Sequence, residues 1–338
     1  MTTDFTELID LAAERLGGAV LFANDDFFAP KENLLKPAVP VFVEGRYTDR
    51  GKWMDGWESR RRRTPGFDWC LIRLGLPGII RGFVVDTAHF KGNYPEGCSV
   101  EACAVEGFPD AEQLMSAATE WTEILPQSQL RGDSQNLFPV RGTERFTHLR
   151  FKIYPDGGVA RLRAYGKVVP DWKRLGRAGE VDLAAVENGG RVVSCSNMFF
   201  GHRHNLIMPG RALDMSDGWE TRRRRGPGHD WAVIHLGTAG TVRRVEVDTS
   251  HFKGNFPESC SLEACDAEGV VVEDSTIPSL PWRDVLPRTR LQAHTRHFYE
   301  EEIKEAGAVS HVRFNIFPDG GVSRLRLFGS VSGREART

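Results

Sequence analysis

The chain has 338 residues and a mass of 37.8 kDa, and it is 40% apolar and 27% charged. That length exceeds what one hydrophobic core serves, and the composition excludes wholesale disorder. Lys and Arg total 44 against 46 Asp and Glu, a net charge of −2, so neither nucleic acid nor an anionic membrane is expected as a partner. No apolar run nears the roughly 18 residues that span a bilayer, and Asp4 and Glu7 stand where a signal peptide would be basic, which points to a cytoplasmic protein. In chain order, a short amino-terminal helix is expected over 7–16, stopped by Gly17-Gly18. Two-residue alternation of apolar positions predicts strands over 68–74, 79–85, 99–105, 148–154 and 159–165, with another short helix near 110–119. Pro155-Asp156-Gly157-Gly158 joins the last two strands and reads as a hairpin turn, with a fixed φ followed by residues that tolerate positive φ.

The chain is an internal repeat. DGWESRRRRTPGFDW from Asp55 returns as DGWETRRRRGPGHDW from Asp217, with 12 of 15 positions identical, and DTAHFKGNYPEGCSVEAC from Asp86 returns from Asp248 with 14 of 18 identical. HLRFKIYPDGGVARLRAYG from His148 returns from His311, and DDFFAPKENLLKP from Asp25 matches NMFFGHRHNLIMP from Asn197. The change in offset places an extra loop of the first half within 38–52. Repeats this long are duplicated domains rather than solenoid units. We therefore expect domains at 1–170 and 171–338, joined near 169–180. Many short strands and little helix predict an all-β fold, one jelly-roll β-sandwich in each domain. Six cysteines include two C-x4-C pairs; residues five apart on a strand point to opposite faces, so reduced thiols are expected.

Two motifs carry candidate chemistry. The arginine runs 60–63 and 222–225 follow Trp57-Glu58 and Trp219-Glu220; on an extended chain alternate arginines face opposite ways. One set can pair with carboxylates while the other reaches a cleft, which makes Arg61, Arg63, Arg223 and Arg225 candidate forks for a substrate carboxylate. The second motif follows a strand and breaks at a glycine. It offers His89, Lys91 and Asn93, and in the second half Asp248, His251, Lys253, Asn255 and Glu258: acids or bases, a charge stabiliser and an amide. Structural ion pairs and a strand-capping histidine are the alternatives. Eight of the ten histidines lie beyond residue 200, among them His202, His204, His229 and His235, where the first half has Pro30, Glu32, Phe67 and Arg73. A His-x-His pair can chelate a metal, but no stronger ligand signature accompanies it, and no P-loop, GxSxG or dinucleotide-binding motif occurs.

In order and over nearly the whole chain, FFAPKENLLKP, GKWMDGWESRRRR, DTAHFKGNYPE, NLIMPGRALDMSDGWETRRRRGPGHDW and RFNIFPDGGVSRLRLFG resemble the allantoicase family. The resemblance implies two jelly-roll domains like galactose-binding modules, a homo-oligomer, and hydrolysis of allantoate to ureidoglycolate and urea. A divalent metal, manganese or zinc, is carried only as an open cofactor. For such a substrate His251, Glu258, Lys253, His89 and Lys91 are the catalytic candidates, with Arg223, Arg225, Asn255, Trp219, Glu220, Arg61, Arg63 and Asn93 as binding residues. The second half is favoured as the principal site because of its histidines. A carbohydrate-binding jelly roll without catalysis, or a hydrolase of another ureide such as ureidoglycolate, is the rival reading.

Overall fold

In the computed structural model, which describes residues 4–175 and 179–332, the segment expected to hold two strands forms a single strand of 19 residues. The first unit's strands are β1 (Ile9–Asp10), β2 (Ala19–Ala23), β3 (Tyr47–Thr48), β4 (Gly51–Lys52), β5 (Trp57–Glu58), β6 (Asp68–Asp86), β7 (Gly97–Cys103), β8 (Thr122–Gln129), β9 (Gln135–Pro139), β10 (Phe146–Tyr154), β11 (Gly158–Val159) and β12 (Arg161–Val168). The first part of β6 pairs with β2 and β10, and its second part with β12 and β9. One strand thus belongs to two sheets, β2-β6-β10-β7-β8 and β1-β12-β6-β9. Leu74-Gly75-Leu76-Pro77-Gly78 reads as a break in the sequence; in the fold it is the corner where β6 passes from one sheet to the other. Trp57, Ile72, Phe83, Phe151 and Leu162 are fully buried, which is what alternating apolar positions on two packed sheets produce.

The second unit repeats the order with β13 (Val181–Asp182), β14 (Arg191–Cys195), β15 (Trp219–Glu220), β16 (Asp230–Asp248), β17 (Ser259–Cys265), β18 (Arg283–Arg290), β19 (Arg296–Tyr299), β20 (Val309–Phe317), β21 (Gly321–Val322) and β22 (Arg324–Val331). Its sheets are β14-β16-β20-β17-β18 and β13-β22-β16-β19. The chain divides into compact units Met1–Val169 and Pro170–Thr338; of the junction expected at 169–180, residues 176–178 lie outside the described residues.

Two expectations need correction. No α-helix forms over 7–16: single 3-10 turns at Phe5–Glu7 and Glu14–Leu16 flank β1, because Asp10 pairs across to Tyr165 and its side chain accepts from the amides of Ala12 and Ala164. The long-range strand contact outweighs the local helical pattern. Nor do the strands around Pro155 form a hairpin. β10 and β12 each pair with β6 rather than with one another, and the bend, through a cis Tyr154-Pro155 bond, hands the chain to β11, which pairs with β5. The expected helix near 110–119 is α1 (Ala111–Met115), opened by a capping box between Asp110 and Gln113. Its Leu114 packs on Leu71 and Cys103. All six cysteines are free, and burial pushes the Cys103 and Cys265 thiols up to about 11. Among the described residues no helix is long and apolar enough to cross a membrane.

Candidate functional site

The loop after β6 is fixed by one aromatic anchor. Phe90 is fully buried, and a side chain at Gly158 would put its Cβ 1.9 Å from the Phe90 ring, so only glycine lets β11 close over it; Phe252 and Gly321 repeat the arrangement. With Phe90 inward, the flanking His89, Lys91 and Asn93 turn outward, and Asn93 Nδ2 donates to Glu58 Oε1 at 2.7 Å. Asn255 donates to Glu220 in the same way. Burial pushes the Glu58 carboxyl above the usual carboxylate range, against the donation from Asn93. These acid–amide pairs join the two sequence motifs at one end of each sandwich.

The histidines are held in a costly backbone conformation. His89 has φ 69° and His251 φ 71°, left-handed values that a β-carbon disfavours and that persist only where the surroundings impose them. His89 Nε2 donates to the Pro40 carbonyl at 3.2 Å, and His251 Nε2 to the Ala212 carbonyl at 3.0 Å. A carbonyl only accepts, so Nε2 carries the hydrogen and Nδ1 is the position left for proton exchange. A buried ion pair steadies that carbonyl. Arg161 pairs with Asp55 at 2.7 Å and donates to the Ala38 carbonyl, while Asp55 accepts from the Val41 amide. In the second unit Arg324 pairs with Asp217, which accepts from the Leu213 amide.

The arginine runs alternate as their extended chain requires. Arg62 bonds Asp68 and, through its amide, Asp156; Arg224 bonds Asp230 and Asp319 likewise. Arg60 pairs with Asp25, and Arg222 lies over Phe199 at 4.2 Å. Arg61, Arg63, Arg223 and Arg225 are exposed and make no hydrogen bond or ion pair among the described residues, which leaves four guanidinium forks for a ligand. Trp57 and Trp219, by contrast, are fully buried, and each indole donates inward to a carbonyl, of Asp25 and Asn197. Trp219, named from its motif as a binding residue, is therefore part of the core, unavailable to a substrate. Glu258 is exposed, and its side chain makes no bond with His251, Lys253 or Asn255.

The extra loop of the first unit lies between Val41 and Asp55. It sets Phe42 5.9 Å from the His89 ring, with Lys52 4.5 Å above Phe42. Lys91 pairs with Asp133 at 3.8 Å, and Asp133 accepts the His89 amide at 2.7 Å. In the second unit His294 takes the place of Asp133, with its ring 5.7 Å from His251. The Asp214 carboxyl is held below the usual range mainly by Ser216 and more weakly by His251. The four extra histidines picked out from the sequence do not gather here. His204 is buried against the Val192 carbonyl, His202 Nδ1 accepts the His204 amide, His229 stacks on Phe317, and His235 packs on His311. The neighbour of His251 is His294, in a loop whose residues differ between the repeats; that difference was the available signal.

Among the described residues no three His, Cys, Asp or Glu side chains are arranged to hold a metal ion. His202 and His204, the pair with chelating spacing, are joined by a backbone bond instead. Among the described residues the donor sets do not fit manganese or zinc.

Compared with known proteins, residues 9–169 and 181–332 match the family model described as Allantoicase repeat. A "Probable allantoicase" of Ralstonia nicotianae is 50% identical over 97% of this chain and 96% of its own length. One from Photobacterium profundum is 50% identical over 97% and 98%. The crystal structure of allantoicase from Saccharomyces cerevisiae is 38% identical, with a TM-score of 0.79, covering 95% of this chain and 92% of that one. Both repeats are matched and 97% of the chain aligns with the first two relatives, so the protein belongs to the allantoicase family.

Proposed function

We propose that this enzyme hydrolyses allantoate to ureidoglycolate and urea, with its principal site at the loop end of the second unit. The observation that carries the activity is full-length membership of the family, both repeats included. Allantoate holds a carboxylate and two ureido groups on one carbon. Water adds its oxygen to that carbon, the bond to one ureido nitrogen breaks, and that nitrogen leaves with a proton as urea. Arg223 and Arg225, unengaged among the described residues, suit the carboxylate. Asn255 spends its Nδ2 on Glu220, so its Oδ1 is left to accept from a ureido N–H. His251, with Nδ1 as its exchangeable position, protonates the departing nitrogen or takes the proton of the attacking water. Lys253, exposed beside it, offsets developing negative charge. The enzyme is further read as a homo-oligomer, which light scattering on the purified protein tests.

The decisive experiment measures urea release from allantoate, ureidoglycolate and allantoin side by side. Release from allantoate alone is expected, because allantoin's closed ring lacks the free carboxylate for the arginines. Release from ureidoglycolate alone would reassign the substrate, and none from any of the three would favour a binding module.

A further inference from the structure

The loop that holds His251 depends on two ring nitrogens where the first unit has side-chain oxygens. The His251 amide donates to His294 Nδ1 at 2.7 Å. The Gln292 amide donates to His297 Nε2 at 2.8 Å, and His297 Nδ1 donates to the Val247 carbonyl at 3.1 Å. The first unit makes the same three bonds with other side chains. Asp133 Oδ1 accepts the His89 amide at 2.7 Å, Asn136 Oδ1 accepts the Arg131 amide at 2.9 Å, and Asn136 Nδ2 donates to the Val85 carbonyl at 3.1 Å. His294 and Asp133 even share a left-handed backbone, with φ 51° and 49°.

The geometry is the same and the proton chemistry is not. A ring nitrogen accepts an amide only through its lone pair, so each of these bonds exists only while its imidazole is neutral. Asp and Asn accept throughout the neutral range, whereas histidine is the side chain that gains a proton between about pH 5 and 8. On the reading of His251 as the acid–base group, we propose that His294 and His297 are positioning residues that hold the His251 loop only while both are neutral. A proton on His294 Nδ1 sets one donor against another, and the left-handed backbone at His251 loses the bond that its own amide makes. The first unit's loop keeps its bonds.

The groups around this latch are few. His294 faces His251, whose charge also acts on Asp214, and Lys253 occupies the position whose counterpart Lys91 pairs with Asp133. His297 stacks on Tyr299, which adjoins Cys260 and Glu302. Arg296, between the two histidines, is paired with Glu246 and lies near Asp248, which also meets Arg211.

Residue-resolved amide hydrogen exchange on the intact chain, from pH 8 to 5.5 and corrected for intrinsic exchange, tests the proposal directly. Protection at His251 and Gln292 is expected to fall about tenfold or more towards the acid end, while protection at His89 and Arg131 stays within about twofold. His294→Asn with His297→Asn supplies acceptors that do not titrate and is expected to abolish the fall. Protection that is flat with pH at both loops, or a fall that survives the double substitution, would overturn the proposal. The catalytic reading is tested separately: the acid limb of kcat for allantoate should move down by about one pH unit in the double variant. A kcat profile unmoved while the exchange difference persists would take His251 out of catalysis and leave the latch in place.

Discussion

In the first unit the loop histidine lies under Phe42 and beside the Lys91–Asp133 pair; in the second, the same position looks onto His294 and Asp214. Much of the scaffold beneath the two is the same. The Phe anchor against a glycine, the buried Arg–Asp pair, the carbonyl that takes the Nε2 hydrogen and the left-handed backbone occur in both. The contrast separates two kinds of retained residue. Those that anchor the loop to the sandwich persist because the fold requires them, while the side chains that accept the loop's amides and those that face outward from it are where the copies have taken different chemistry.

The largest expected effect comes from the histidines themselves. His251→Ala should lower kcat/KM for allantoate by about 10²–10⁴-fold, the range of lost acid–base catalysis, and His89→Ala considerably less. Equal losses in folded variants, read by urea release, would make the units equivalent. Next come the inward arginines. Arg224→Ala strips the buried Asp230 of its cation and should cost about 3 kcal/mol in urea denaturation, with a similar loss for Arg62→Ala in its own unit. Arg223→Ala leaves stability unchanged and should raise KM by about 10–100-fold, the worth of a charged hydrogen bond, whereas Arg61→Ala should barely move it. A KM that responds equally to both would place substrate at both loop ends.

The smallest effect concerns a pair that the units share. Burial pushes the carboxyls of Asp10 and Asp182 up to about 6, despite Arg163 and Arg326 nearby, from an ordinary value of 3.8. Between those values the folded chain holds a proton that the unfolded chain has lost. The resulting stabilisation is complete below about pH 4 and is lost as pH rises through 6. Asp10→Asn and Asp182→Asn should each remove this dependence, by similar amounts, in melting curves at pH 5 and 7. Unequal changes would show that the scaffolds differ as well as the sites.

The sequence made the duplication, the strand content and the loop motifs legible, because identity at fixed offset and two-residue alternation are local signals. It hid what depends on distant partners. Asp10 in the middle of Ile9-Asp10-Leu11 fits a helix until the amide of Ala164 arrives to bond it. Pro77-Gly78 looks like a strand end until the second sheet takes up the same strand. At the site, alternation separates Arg60, Arg62 and Arg224, which pair with carboxylates, from Arg61, Arg63, Arg223 and Arg225, which do not among the described residues. Trp219 and Glu258 are near the motifs only in the chain: one is turned into the core and the other is exposed to solvent. His294 and His297 carry no signal in the retained motifs, because these two positions are where the repeat differs.

The long strands β6 and β16 have a consequence for how the protein comes apart. Since each belongs to both sheets of its unit, neither sheet can be peeled away while the other keeps its hydrogen bonds. Loss of one end of the strand removes the central partner from the other, so each unit should melt as a single cooperative block, and calorimetry of the whole chain should resolve no more than two transitions.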